Sequence, residues 1–142
     1  MGKLEWSDSL CVDESLIDEQ HKTWIQKLND VSVAIEAHQG PTRIAEALEF
    51  LNEYTSFHFS TEERYMAKYA YPDSAEHLKK HADLKKALAD LELEYEEEGA
   101  THLLAQSIDF FAVNWLVNHI TETDVKLGVY FRSKGIALTD KM

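Results

Sequence analysis

The stretch IDEQHKTWIQKLNDVSVAI, residues 17–35, carries the repeat that decides the fold. Its large apolar and aromatic positions advance by alternating steps of four and three residues. Such steps place side chains on one stripe of an α-helix, the stripe that a helical bundle buries. The positions on this stripe are Ile17, His21, Trp24, Leu28, Val31 and Ile35. The stretch therefore predicts a helix that packs along one face.

Three later segments follow the same rhythm and predict three more helices. Their stripes are Ile44, Leu48, Leu51, Thr55, His58, Glu62 and Tyr65 in the second, His77, His81, Leu84, Leu88, Leu91 and Tyr95 in the third, and Ala105, Ile108, Ala112, Trp115 and His119 in the fourth. No stretch sustains an alternation of polar and apolar residues with turn signals, so the sequence does not support strands.

Glycine and proline mark the boundaries between these segments, at Gly40-Pro41, Pro72 and Gly99. After Pro72, Asp73 is predicted to cap the third helix, with Glu76 completing a capping box. Short connections favour antiparallel neighbours, so the predicted fold class is all-α, an antiparallel up-down-up-down four-helix bundle. We predict one domain over residues 1–142, with an irregular N-terminal arm (1–17), the bundle (18–131) and a C-terminal tail (132–142).

Composition excludes several classes of protein. Acidic residues outnumber basic residues 26 to 14, and the net charge is −12. This balance argues against nucleic acid and anionic membranes as partners, because both require a basic face. The single cysteine, Cys11, cannot form an internal disulfide. No signal peptide or long apolar run is recognisable, so we expect a cytoplasmic protein.

Ionisable side chains occupy several positions on the stripes that should be buried. They are His21, His58, Glu62, His77, His81 and His119. Buried ionisable groups need partners, and neutral imidazole and carboxylate are natural metal ligands, so the pattern favours a metal site. A satisfied core histidine is the better interpretation of any one position, but not of the ordered set. His38 and His102 lack partners at ligand spacing and are expected at the surface.

Asp124 joins this set only if the fourth helix is irregular. His119 and Asp124 are five residues apart, which on a straight α-helix separates their directions by about 140°. A π-bulge or a terminal turn near residues 120–124 would bring the two side chains together, and such irregularities often mark functional sites. We therefore predict a local distortion at this point.

Five imidazoles and two carboxylates are too many ligands for one tetrahedral zinc. Two six-coordinate ions, bridged by both carboxylates and by an oxo or hydroxo group, suit this number better. That arrangement leaves one coordination position vacant, so it describes a site for one small exogenous ligand.

The ordered set resembles the hemerythrin family, in particular the single-domain bacteriohemerythrins. The matching stretches are Trp6-Ser7-Asp8, Ile17-Asp18-Glu19-Gln20-His21, His58-Phe59-Ser60-Thr61-Glu62-Glu63, His77 to His81, and Trp115-Leu116-Val117-Asn118-His119-Ile120 followed by Asp124. The resemblance covers nearly the whole chain. A single HxxxH is a weak motif, whereas all seven residues in order form a specific one.

The resemblance implies a non-haem di-iron centre with an oxo or hydroxo bridge. One iron would be held by His77, His81 and His119, and the other by His21 and His58. Glu62 and Asp124 would bridge the two ions. The implied function is reversible O₂ binding, for oxygen storage, delivery or sensing, with O₂ as the partner molecule. An oxygen-requiring partner enzyme would be compatible with this role, but the sequence does not identify one.

The resemblance also implies an apolar wall around the O₂ pocket, which excludes water and protons. The residues at the matching positions are Trp24, Phe59, Trp115, Leu116 and Ile120. Trp24 departs from the family, which usually has Leu or Ile there. We expect this larger ring to alter the kinetics of O₂ binding without abolishing it.

Two other functions stay open at this point. The same centre could belong to a di-iron enzyme acting on peroxide or nitric oxide, or the bundle could hold a different metal or none. The predominance of imidazole over glutamate in the ligand set favours binding over oxidation, because ferritin-like di-iron oxygenases use mainly Glu and Glu-x-x-His pairs. We therefore do not expect an enzyme, while leaving a secondary peroxidase-like activity open.

Overall fold

A computed structural model describes residues 4–138 of the chain, and those residues contain no strand. Three long α-helices come first: α1 (Ser15–Glu36), α2 (Pro41–Lys68) and α3 (Ser74–Glu98). The fourth helix of the bundle, residues 102–133, begins as α4 (His102–Phe111) and ends as α5 (Val125–Ser133). Between them lie two π-helical segments, π1 (Ala112–Val117) and π2 (His119–Asp124). The predicted all-α four-helix fold is confirmed.

Local chemistry explains where the helices begin and end. Glu14 caps α1, since its side chain accepts a hydrogen bond from the backbone N–H of Leu16. Pro41 occupies the first turn of α2, and Thr101 caps α4 by accepting from the N–H of Leu104. The predicted capping box at the start of α3 is wrong, because the Asp73 side chain makes no capping hydrogen bond.

The helical part of the chain is slightly longer than expected at both ends. Helix α1 begins at Ser15, three residues before the predicted start of the bundle, because the Glu14 cap lies within the predicted arm. Helix α5 continues to Ser133. Residues 1–3 of the predicted arm and 139–142 of the predicted tail lie outside the described residues. The boundaries of the single domain stay a prediction.

The side chains between the helices form one hydrophobic core. Every stripe position in α1 and α2 is buried, and so is every stripe position in α3 except the half-buried Tyr95. Apolar side chains dominate this core, and their burial is the main favourable contribution to folding. No helix among residues 4–138 is long and apolar enough to cross a membrane.

The predicted stripe of the fourth helix is wrong at three positions. Ala105, Ala112 and Trp115 are only half-buried, whereas Phe111, Leu116 and Ile120 are buried. From Phe111 to Leu116 the buried face advances by five residues, since π1 has a longer repeat than an α-helix. The π-helical segments therefore change which side of the helix faces the core.

The N-terminal arm packs closely on α5 at Gly128. A Cβ atom at this glycine would clash with the backbone oxygen of Val12. Asp18 fixes this part of the arm, because its Oδ1 accepts a hydrogen bond from the Val12 N–H at 2.8 Å. The absence of a side chain at residue 128 is therefore what allows the arm to lie against the bundle.

We expect Gly128→Ala to destabilise the protein by about 1–2 kcal/mol, because crowding in a packed interface costs about 1–3 kcal/mol and the helix-propensity gain of alanine offsets at most about 1 kcal/mol. The measurement is the free energy of unfolding in urea. Val129→Ala is the control, since Val129 is exposed on the same helix and should change stability by no more than about 0.5 kcal/mol. A Gly128→Ala protein as stable as the parent would contradict the close packing.

Candidate metal centre

Seven polar side chains from all four helices meet inside the bundle, each at most 5% exposed. They are His21 from α1, His58 and Glu62 from α2, His77 and His81 from α3, and His119 and Asp124 from π2. The structure therefore brings together every residue that the sequence suggested as a metal ligand.

The seven side chains divide into two overlapping groups, each with ligand atoms within 4.8 Å of one another. The two-histidine half contains His21 and His58. The three-histidine half contains His77, His81 and His119. Glu62 and Asp124 belong to both halves. The arrangement offers two neighbouring metal positions that share two carboxylates.

The Asp124 carboxylate points one oxygen into each half. Its Oδ2 lies 2.7 Å from His21 Nε2. Its Oδ1 lies 3.1 Å from His77 Nε2 and 3.1 Å from His119 Nε2. An aspartate placed this way presents one oxygen to each of two metal positions.

The two carboxylate oxygens of Glu62 also face different halves. Its Oε1 faces the three-histidine half, 3.0 Å from His81 Nε2 and 3.3 Å from His77 Nε2. Its Oε2 faces the two-histidine half, 3.7 Å from His58 Nε2. Both carboxylates are therefore placed as bridges between the two halves.

The π-helical geometry of the fourth helix brings Asp124 into the centre. His119 and Asp124 are the first and last residues of π2, and both are buried. In a π-helix the backbone hydrogen bonds join residues five apart, so side chains at this spacing share a face. The predicted irregularity near residues 120–124 is confirmed.

Several buried atoms of the cluster have no hydrogen-bond partner among the described residues. Two of them are His58 Nε2 and Glu62 Oε2, which lie 3.7 Å apart. Each unsatisfied buried polar group costs about 1–3 kcal/mol. Both atoms belong to the two-histidine half, where a metal ion would use them as ligands. The donor set of imidazole nitrogen and carboxylate oxygen also fits iron. The residues present therefore fit a two-metal centre.

Two neighbouring side chains orient histidines of the cluster. His58 Nδ1 lies 2.8 Å from Gln20 Oε1, and His81 Nδ1 lies 2.8 Å from Glu63 Oε2. An Nδ1–H that donates to such an acceptor turns Nε2 toward the metal and increases its basicity. Sequence reasoning assigned no role to either residue, although each directly follows or precedes a candidate ligand.

Charges within the cluster shift several pKa values. Burial by itself lowers the pKa of His77, but hydrogen bonds to Asp124 and Glu62 outweigh burial and raise it to about 10. Burial is likewise outweighed at His119, where the charge of Asp124 raises the pKa to about 9. Burial acts to raise the pKa values of Glu62 and Asp124, and the charge of Asp124 acts further to raise that of Glu62, yet the surrounding histidines hold both pKa values well below the usual range. At pH 7 the metal-free cluster thus contains two imidazolium–carboxylate pairs.

Metal binding is expected to release the protons of His77 and His119 at pH 7, because a ligand imidazole must be neutral and the raised pKa values leave both protonated there. Affinity should rise by up to about tenfold per pH unit for each displaced proton and level off once pH passes the pKa values of about 9 and 10. Calorimetric titration of the metal-free protein with Zn²⁺, in buffers of different ionisation enthalpy, measures both quantities. An affinity that stays constant between pH 6 and pH 8 would contradict this protonation state.

The residues suggested for the O₂ pocket differ in their burial. Trp24, Phe59, Leu116 and Ile120 are buried at 1% exposure or less. The Phe59 ring stacks on His81 with centroids 3.7 Å apart, and the Trp24 ring lies 5.3 Å from the His58 ring. Trp115 is half-buried and lines surface clefts between α3 and the fourth helix. Four of the five thus form an interior wall, and Trp115 lies outside it.

The two histidines outside the cluster behave as expected, since His38 and His102 are both exposed. Cys11 donates hydrogen bonds to Asp13 and Asp18. The hydrogen bond to Asp18 is the main cause that raises the pKa of the Cys11 thiol to about 11. A thiol with so high a pKa is a poor nucleophile at neutral pH.

Comparison with known proteins gives consistent results. Residues 13–128 match the family model described as Hemerythrin HHE cation binding domain. A bacteriohemerythrin from Stenotrophomonas maltophilia is 31% identical over 124 residues, which are 87% of this chain and 78% of that protein. A bacteriohemerythrin from Methylococcus capsulatus is 34% identical over 114 residues, covering 78% and 82% of the two chains. A myohemerythrin from Theromyzon tessulatum is 30% identical over 122 residues, covering 86% and 88%.

The fold is similar to solved structures as well. A crystal structure of a hemerythrin mutant matches with a TM-score of 0.78 and 28% sequence identity. The match covers 91% of this chain and 97% of that one. The similarity therefore extends over most of both chains.

Proposed function

This chain belongs to the hemerythrin family, and from that premise we propose that it binds O₂ reversibly at two non-haem iron ions inside the bundle. His77, His81 and His119 would hold one ion, and His21 and His58 the other. Glu62 and Asp124 would bridge them, together with an oxo or hydroxo group. The physiological use would be the storage, delivery or sensing of oxygen.

One observation carries this proposal: both carboxylates direct one oxygen to the two-histidine half and the other to the three-histidine half. Asp124 Oδ2 lies 2.7 Å from His21 Nε2, and its Oδ1 lies 3.1 Å from His119 Nε2. A single metal would need no bridging carboxylate, whereas two neighbouring ions can share both. With both carboxylates bridging, the half that has only two histidines is the half with room for an exogenous ligand.

Iron in this centre would supply the electrons on which reversible O₂ binding depends. The chain itself supplies an apolar surrounding, since Phe59 stacks on His81 and Leu116 and Ile120 are buried in the core. An apolar wall excludes water and stray protons from the site. Gln20 and Glu63 hold His58 and His81 in place, so their Nε2 atoms need no reorientation when metal binds.

The Trp24 ring packs beside the two histidines of the two-histidine half. Its ring centroid lies 5.3 Å from that of His58 and 6.1 Å from that of His21. The indole Nε1–H donates to Thr55 Oγ1 at 2.8 Å, which fixes the ring in its place. A rigid ring beside this half would limit the space available to a ligand.

We expect Trp24→Leu to change both the O₂ association rate and the autoxidation rate by several-fold, because the smaller side chain leaves a cavity beside His58. The same cavity should lower the free energy of unfolding by about 2–4 kcal/mol. Stopped-flow oxygenation and the decay of the oxygenated spectrum measure the two rates. Thr55→Val is the matched control, since it removes the hydrogen bond and retains the ring. Unchanged rates in Trp24→Leu would refute a role for this ring.

The function itself is tested by repeated cycles of oxygenation. Iron-loaded, reduced protein should develop a visible charge-transfer band when O₂ is admitted, and the band should disappear when O₂ is removed under vacuum. Irreversible oxidation in the first cycle, accompanied by turnover of added peroxide or nitric oxide, would instead support a di-iron enzyme and contradict the proposal.

A further inference from the structure

A chain of three hydrogen bonds connects the backbone of α2 to His58. The Thr61 hydroxyl donates to the backbone oxygen of Phe57 at 3.1 Å. Thr61 Oγ1 accepts in turn from Gln20 Nε2 at 3.3 Å, and Gln20 Oε1 lies 2.8 Å from His58 Nδ1. Gln20, Thr61 and His58 are all buried. Because little water reaches them, these groups depend on one another for their hydrogen bonds.

The chemistry of each group gives this chain a single direction. A backbone carbonyl can only accept a hydrogen bond, and a hydroxyl has one hydrogen to donate. Since Thr61 donates its hydrogen to Phe57, its oxygen accepts from Gln20. Gln20 therefore directs its NH₂ group to Thr61 and its carbonyl oxygen to His58. That oxygen needs a donor, so the ring proton of neutral His58 lies on Nδ1, and Nε2 keeps the lone pair that a metal ion uses.

Two carboxylates act on His58 in the opposite sense. Glu62 Oε2 lies 3.7 Å and Asp124 Oδ2 lies 3.9 Å from His58 Nε2. In the metal-free protein their negative charges attract a proton to Nε2, which is the wrong tautomer for binding a metal ion. If the Gln20 amide turned over, its NH₂ group would donate to Nδ1 and stabilise that tautomer as well. The orientation of the amide therefore decides which nitrogen of His58 carries the proton.

His81 shows why His58 needs a residue beyond its immediate partner. The acceptor for His81 Nδ1 is Glu63 Oε2, at 2.8 Å. An ionised carboxylate can only accept, so either of its oxygens favours the proton on Nδ1. The amide of Gln20 has one accepting end and one donating end. A third group must fix which end faces His58, and Thr61 is the group that contacts the donating end.

We propose that Thr61 is a positioning residue of the two-histidine half. Acting through Gln20, it holds His58 as the tautomer with its proton on Nδ1, so that Nε2 is ready to bind a metal ion. Loss of the Thr61 hydroxyl should weaken binding of the ion held by this half and leave the three-histidine half unaffected. The identity of the metal rests on the proposed function, but the tautomer of His58 does not.

The tautomer is measured by NMR, from the chemical shifts of the ring nitrogens of His58 in the metal-free full chain at a pH where the ring is neutral. The parent should show the proton on Nδ1. Thr61→Val has nearly the same volume but no hydroxyl, so we expect a large part of the population to move its proton to Nε2. Thr61→Ser retains the hydroxyl and should restore the parent signal. Thr61→Ala is a second variant without the hydroxyl, in case valine disturbs folding.

Thr55→Val is the matched control on the same helix. The Thr55 hydroxyl also donates to a backbone oxygen four residues earlier, that of Leu51, and it also accepts from a side chain of α1. Its partner is Trp24 instead of Gln20. Thr55→Val therefore removes the same kind of contact from α2 and should leave the tautomer of His58 unchanged.

A double substitution separates the orientation of the amide from simple packing. In Gln20→Glu the partner of His58 becomes a carboxylate, which accepts at both ends and needs no third group to orient it. In that background Thr61→Val should no longer change the tautomer. The difference between the effects of Thr61→Val in the two backgrounds is the coupling between residues 20 and 61.

Titration of the metal-free full chain with Zn²⁺ provides the second measurement. Thr61→Val should weaken binding of the second ion by up to about tenfold, the low end of the effect of losing a direct partner of a metal-binding histidine. Binding of the first ion, at the three-histidine half, should be unchanged. Neither measurement uses iron or O₂, so a failure of reversible oxygenation would refute the proposed function and leave the role of Thr61 standing.

Four results would overturn the role of Thr61. His58 could keep its proton on Nδ1 in both Thr61→Val and Thr61→Ala, or Thr61→Ser could fail to restore the parent signal. Thr55→Val could move the tautomer as far as Thr61→Val does, which would indicate a general effect on α2. An equal effect of Thr61→Val in the Gln20→Glu background would show that the hydroxyl does not act through the amide.

Discussion

Replacing His58 by alanine is expected to abolish reversible oxygenation. The two-histidine half has two imidazoles, and His58 is one of them. Its Nε2 has no hydrogen-bond partner in the described protein, and its Nδ1 is held by Gln20, so its geometry serves the metal position. Without it, the second ion would be held by one histidine and two shared carboxylates. We expect iron content to fall from two ions toward one and the oxygenation band to disappear.

His102→Ala is the matched control for this prediction. His102 is exposed at the start of α4, so the same substitution there removes an imidazole without touching the cluster. Iron content and oxygenation of His102→Ala should equal those of the parent. A His58→Ala protein that still binds O₂ reversibly would show that His58 is not a ligand, and the proposed assignment would have to be abandoned.

Asp124→Asn is expected to have the second largest effect, on stability as well as on metal binding. In the metal-free protein Asp124 contacts His21, His77 and His119 and is the chief source of the raised pKa of His119. Its loss leaves imidazolium groups buried with too little compensating charge, which typically costs about 3–5 kcal/mol. We expect the pKa of His119 to fall, and the metal-free variant to unfold at much lower urea concentration.

Glu122→Gln provides the control, because Glu122 lies in the same π-helical segment and is exposed. It should change stability by no more than about 0.5 kcal/mol. Titration of the histidine ring protons by NMR would report the pKa change directly. If Asp124→Asn were as stable as the parent, and the pKa of His119 stayed near 9, then Asp124 would not be the counter-charge that the structure indicates.

Much of this architecture could be predicted from the sequence because three helices keep one unbroken repeat. A stripe with steps of four and three residues identifies the buried face wherever the helix is regular. It succeeded along α1 and α2, where Trp24 and Thr55 are both fully buried. It failed in the fourth helix, where the two π-helical segments change the repeat and leave Ala112 and Trp115 half-buried.

The sequence predicted the ligand residues of the candidate site, but it did not predict the contacts that surround them. Seven ligand-type residues in a fixed order are visible in the sequence, and the five-residue step to Asp124 predicted the irregular helix. The acceptors for His58 and His81 were not predictable, since Gln20 and Glu63 reach them across the gap between two helices. Such contacts depend on tertiary packing and side-chain rotamers, which no repeat within one helix specifies.

The most direct test of the account is an anaerobic titration of the metal-free protein with Fe²⁺, followed by oxygenation at each point. The account predicts a break at two ions per chain, with an oxygenation band that grows up to that point and disappears whenever O₂ is removed. A break at one ion per chain, or a band that does not reverse, would contradict a reversible O₂ site built on two irons and two bridging carboxylates.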